Sequence, residues 1–166
     1  MKKYTFAIFI LCCLMACQSD REQQSLSTDI HALQQEIGEE NQPSPEKLAQ
    51  FKTVLEKYAA NYPDDSLSMK YLSQAGEVAR LMQQFDEAIR IYDRMISRYS
   101  GHPEAGKAMF MKGFTYENDL KNLDSARVVY TLFLEKYPKD DFADDAQFLL
   151  NNLGKKPEEV LKELGN

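Results

Sequence analysis

Apolar and polar positions along this chain recur with a fixed offset. The stretch 123–138 and the earlier stretch 85–100 share one frame, 38 residues apart. Leu123 falls on Phe85, Asp124 on Asp86, Ala126 on Ala88, Tyr130 on Tyr92, Phe133 on Met95 and Tyr137 on Tyr99. The same offset links Leu72, Phe110 and Phe148, and also Ala105 with Ala143. Within each stretch the apolar residues fall three or four apart, which is helical spacing. Self-similarity at a period of this size marks stacked helical units, none of which can bury its apolar face alone. The pattern predicts a helix A, a short turn and a helix B in each unit. The first pair is expected at 66–83 and 85–99 and the second at 103–119 and 123–137. A third A-helix follows at 141–153, and Lys156-Pro157-Glu158 opens a last short helix to Leu164.

Upstream, Ser44-Pro45-Glu46-Lys47 reads as an N-cap followed by proline in the first turn. Leu48, Phe51, Val54, Leu55 and Tyr58 supply the apolar face of that helix, which runs out near Pro63. Before it, Leu26, Ile30, Leu33 and Ile37 form one stripe at spacings of 4, 3 and 4. A short coiled-coil contact with a second copy fits this stripe. Packing on the domain's own first helix fits it too and is favoured. Residues 18–28 are rich in Gln and Ser with little to bury, so 17–28 is expected as a flexible tether, 29–43 as a short helix and linker, and 44–166 as the helical domain.

Small residues recur where helices must cross closely, Ala75 and Gly113 in the A-helices and Ala88 and Ala126 in the B-helices. Tyr92, Met95, Tyr116, Tyr130 and Phe133 are the bulky neighbours that fill around them. This order resembles the tetratricopeptide repeat (TPR). Gly113, Tyr116, Ala126, Tyr130 and Pro138 match its glycine, aromatic, alanine, aromatic and proline positions. The first unit keeps Val78, Ala88 and Tyr92, with Ala75 at the glycine position and Ser100 at the proline. The resemblance implies an all-α fold, a TPR-like α-solenoid of stacked antiparallel helix pairs. The Tyr-Pro endings at Tyr62-Pro63 and Tyr137-Pro138, with the longer period, look like the TPR envelope proteins related to BamD and CpoB. In TPR folds the A-helices line a groove. By resemblance the partner-facing residues here would be Met69, Gly76, Arg80, Lys107, Phe114, Glu117 and Asn118. Phe114 either anchors an apolar partner side chain or packs on the next repeat.

The N-terminus reads as an address. Lys2 and Lys3 precede an unbroken run of ten apolar residues, Phe6 to Met15, which is too short for a membrane-spanning helix. It ends in Leu14-Met15-Ala16-Cys17, which resembles the lipobox of bacterial lipoproteins. That resemblance implies removal of residues 1–16 and lipidation of Cys17, with acyl chains holding the domain at a membrane. Gln18-Ser19-Asp20-Arg21-Glu22 looks like a short acidic export signal of surface lipoproteins, with Arg21 a departure, and reads more simply as part of the tether. The location expected is the cell envelope, most simply the outer membrane, on its periplasmic face or at the surface.

Charge narrows the partners. Without Lys2 and Lys3 the chain keeps 18 basic against 26 acidic residues and shows no basic stripe, which argues against nucleic acid. Cys12, Cys13 and Cys17 are the only cysteines, so the helical domain has none. His31 and His102 lack carboxylate or serine partners at a suggestive spacing, and His102 reads as a cap or surface residue. Asp140, Asp141, Asp144 and Asp145 fail as a calcium loop, because Asp145 and Asn151 stand where glycine and glutamate are required. At the start of a helix they make sense. No cofactor, metal site or enzymatic activity is expected. The chain reads as a lipid-anchored adaptor for an envelope protein or peptide, with two alternatives. One is an accessory subunit of an outer-membrane protein assembly complex; the other is a lipoprotein binding a small ligand or glycan.

Overall fold

The computed structural model describes the backbone of residues 2–164 and the side chains of 20–162. Its elements are α1 (Lys2–Glu39), α2 (Pro45–Asn61), α3 (Ser66–Leu81), α4 (Phe85–Arg98), α5 (Pro103–Phe114), a π turn (Thr115–Asp119), α6 (Leu123–Lys136), α7 (Ala143–Asn152) and α8 (Pro157–Leu164). The fold is all-α and TPR-like. The chain divides into two compact units, Met1–Tyr71 and Leu72–Asn166, with α3 beginning in one and ending in the other. The sequence-expected domain 1–16 and Cys17 lie outside the described side chains.

In the first unit α1 packs on α2. Leu26, Ile30 and Leu33 are buried and Ile37 is half-buried, as are Leu48, Phe51, Leu55 and Tyr58 buried on α2. The apolar stripe is therefore covered inside the chain, and a coiled-coil contact with a second copy through Leu26, Ile30, Leu33 and Ile37 is not what it forms. Residues 20–28, expected as tether, are helical instead. Composition hid one anchor: Gln23 Nε2 donates to Tyr58 Oη at 2.9 Å and to Asp65 Oδ2 at 2.7 Å. At the far end of α1, Lys47 pairs with Glu36 at 3.2 Å and with Glu40. Ser44 caps α2 by accepting from the Lys47 amide at 3.2 Å, with Pro45 in the first turn.

Every B-to-A turn is built alike. A tyrosine carbonyl accepts the amide three residues on: Asp65 from Tyr62 at 3.0 Å, His102 from Tyr99 at 2.8 Å, Asp140 from Tyr137 at 3.1 Å. Each residue so placed then accepts, with its side chain, the amide two residues on. Asp65 Oδ1 accepts from Leu67 N at 2.7 Å, His102 Nδ1 from Glu104 N at 3.2 Å and Asp140 Oδ1 from Phe142 N at 3.0 Å. The carboxylate of Asp140 is thereby occupied in the turn before α7, while Asp144 and Asp145 lie in the first turn of α7, where negative charge suits the positive end of the dipole.

In the second unit Gly76 of α3 meets Tyr92 of α4, and Gly113 of α5 meets Tyr130 of α6. A Cβ on Gly76 would lie 2.5 Å from the Tyr92 ring and one on Gly113 2.6 Å from the Tyr130 ring, so only glycine lets the helices approach this closely. Ala88 and Ala126 are fully buried on the facing helices. Around them Phe110 stacks on Phe142 at 4.7 Å and lies 6.0 Å from Phe133, extending the core toward α7.

These contacts correct the repeat frame. A uniform offset of 38 sets Ala75 opposite Gly113, whereas the structure sets Gly76 there. Repeat two therefore holds one more residue than repeat one between glycine and tyrosine, and the π turn absorbs it. In repeat one Gln84 N donates to Ala79 O at 2.8 Å, five residues back; in repeat two Asn122 N donates to Tyr116 O at 2.8 Å, six back. Gln83 and Lys121 take the same left-handed backbone, φ 58° and 54°, one residue earlier. The two turns share a geometry and differ by one residue upstream.

Candidate protein-binding face

The end of α3, α5 and the π turn carry the A-helix side of the second unit. Arg80 Nε donates to Asp119 Oδ2 at 2.7 Å, and both side chains are about four-fifths buried, at 20% and 19% exposure. The Arg80 guanidinium also lies over the Phe114 ring, 5.0 Å from its centroid. One charge thus has an anionic partner and an aromatic face at once, an arrangement suited to the planar guanidinium. A turn earlier on α3, Glu77 accepts from Lys107 Nζ at 3.3 Å. Asn118 is exposed and donates to Phe114 O at 3.3 Å.

Glu117 turns the other way, accepting from Tyr130 Oη at 2.8 Å. Burial, followed by that bond to the carboxylate, pushes the Tyr130 phenol far above its ordinary value. Burial does the same to Tyr92, with Arg80 working against the rise and Glu77 and Asp119 adding to it. The Tyr92 hydroxyl has no hydrogen-bond partner among the described residues. The two repeats therefore use one ring position with different polar outcomes.

Of the seven residues expected to face a partner, Arg80 and Phe114 come together, and Lys107 and Asn118 lie on the same helical side. Met69 is buried within the first unit, and Gly76 lies beneath Tyr92. Both were expected at the groove by resemblance to the TPR, and the structure places both in the interior. Glu117 serves the interior more than the surface. Asp119 and Glu77 were not foreseen. Opposite charges at Arg80 and Asp119, near the ends of successive A-helices, were the available signal, because adjacent repeats pack side by side.

The face offers an aromatic ring, compensated charges and an exposed amide, which suit a protein surface rather than bond-making chemistry. Among the described residues no group of three His, Cys, Asp or Glu side chains gathers as a metal site. No helix among them is long and apolar enough to cross a membrane.

Residues 72–102 and 107–140 match the family model for the tetratricopeptide repeat. These two segments are similar to tetratricopeptide repeats. Both fall inside the second unit, and the four residues between them are the first turn of α5. No curated protein matches the chain. The TPR assignment supports a protein–protein interaction role, and the TPR is generally a non-catalytic scaffold.

Proposed function

We propose that this chain is a lipid-anchored adaptor of the bacterial cell envelope, which holds a protein or peptide partner on the A-helix side of its TPR pair. The observation that carries the binding half is the Arg80–Phe114–Asp119 cluster. Its cation is already matched by Asp119, so the partner is held by an apolar side chain set against Phe114, with Asn118 beside it for a backbone group. The anchoring half rests on Leu14-Met15-Ala16-Cys17 and the apolar run before it. Acylation at Cys17 would fix the domain at a membrane, most simply the outer membrane.

The test is capture from crosslinked membranes with the tagged full-length chain. Phe114→Ala combined with Arg80→Ala should reduce capture about tenfold or more while helicity by circular dichroism is unchanged. Full capture by that variant would overturn the assignment of the face. Cys17→Ala should release the protein from membranes; a variant that stays there equally well would overturn the anchor alone.

A further inference from the structure

The exposed side of α6 carries residues that neither the core nor the A-helix face uses. Asp124, Val128, Leu132 and Lys136 stand four apart in one row, all exposed, with Val128 at 66% and Leu132 at 37%. Beside it runs a second exposed row, Arg127, Thr131 and Glu135. None of the four charged residues has an ion-pair partner among the described residues. In α4 the row equivalent to the first reads Asp86, Arg90, Arg94 and Arg98. Where repeat one has arginines at the centre, repeat two has an aliphatic pair.

The helix dipole explains part of this. It favours Asp124 near the N-terminus of α6 and Lys136 near the C-terminus. It disfavours Arg127 near the first end and Glu135 near the second, and it says nothing of Val128 and Leu132. A different symmetry explains all of them. Both rows are self-complementary: reversed end to end, each sets an acid against a base, with uncharged residues meeting at the middle.

We propose that this face is a two-fold contact between two copies of the chain, with their α6 helices packed antiparallel about an axis beside Thr131. Val128 then meets Leu132 of the second copy, Asp124 meets its Lys136, and Arg127 meets its Glu135. The axis makes each pairing occur twice, as in any isologous contact. Rows of residues four apart are the ridges that interdigitate when helices cross. A hollow of about 350 Å³ beside the row, lined by Lys112, Tyr116, Asp124, Ser125, Val128 and Val129, receives Leu132 of the second copy. The same arrangement of two α4 helices would set arginines against arginines, so repeat two is selected. A single helix face makes a small contact, and the association is weak and salt-sensitive.

The experiment is sedimentation equilibrium of the full chain from micromolar to millimolar concentration, at low and high salt. A monomer–dimer equilibrium weakened by salt is expected. Arg127→Glu and Glu135→Arg each suit the dipole of their own helix, yet each should weaken the dimer about tenfold by creating like-charge pairs at both ends. The double variant R127E/E135R should restore it. Val128→Arg with Leu132→Arg, which reproduces the α4 pattern, should abolish the dimer with helicity unchanged. A chain monomeric throughout, a dimer indifferent to the single reversals, or a double variant that fails to recover would each overturn the proposal.

Discussion

Two tyrosines at equivalent positions, Tyr92 and Tyr130, show how the same buried ring is used in two ways. Tyr130 donates to Glu117, while the Tyr92 hydroxyl is buried without a partner among the described residues. Removing an unpaired buried hydroxyl costs little, whereas removing the donor to a carboxylate strips a charge-assisted bond. Tyr92→Phe should therefore leave stability within about 0.5 kcal/mol or raise it, and Tyr130→Phe should cost about 1–3 kcal/mol, both by urea denaturation. Both phenols are shifted upward in the folded chain, chiefly by burial. The unfolded chain then releases its phenolic protons first as pH rises. The stabilisation is complete below the ordinary phenol value of about 10 and is lost as pH climbs beyond it, and each Phe variant should flatten that loss. The glycines opposite these rings admit no side chain. Gly113→Ala drives a methyl to 2.6 Å from a ring held on all sides, and should cost about 1–3 kcal/mol by the same measurement.

At the scale of the element, much was legible. The helix starts at Pro45, Phe85, Pro103 and Leu123 follow from proline, caps and apolar spacing, because these signals are local to a turn of chain. What escaped was set by distant partners. Gln23 gives the segment before residue 29 a reason to be helical only once Tyr58 and Asp65 are beside it. The π turn escaped because a repeat offset counts residues and not hydrogen bonds, and that error of one residue set the glycine crossing at Ala75 in place of Gly76. Deleting Asn118 should convert repeat two to the spacing of repeat one. Helicity and the Gly113–Tyr130 contact are expected to survive, with a stability loss of about 1–2 kcal/mol. Deleting Thr131, by contrast, would rotate every later core residue of α6 away from its neighbours and should cost more than about 4 kcal/mol. Paired urea titrations separate the two.

For the whole molecule, order should decline toward the C-terminal end. Core residues are dense on α5 and α6, while α7 buries only Ala146 and α8 buries none of its described side chains. Stacked units open from their ends, where neighbours are fewest. Hydrogen exchange followed by mass spectrometry should show amides of α8 exchanging first, α7 next, and those of α5 and α6 last. Exchange of α6 ahead of α8 would contradict this order. The π turn has a consequence for how such a chain can change in length. It sits between the glycine crossing and the left-handed residue at Lys121, and both keep their geometry while the count between them changes. Insertions and deletions confined to that seam leave the frame of every downstream helix intact. The seam is therefore where sequence length is free to drift, and where a probe residue could be spliced into either repeat without rebuilding the core.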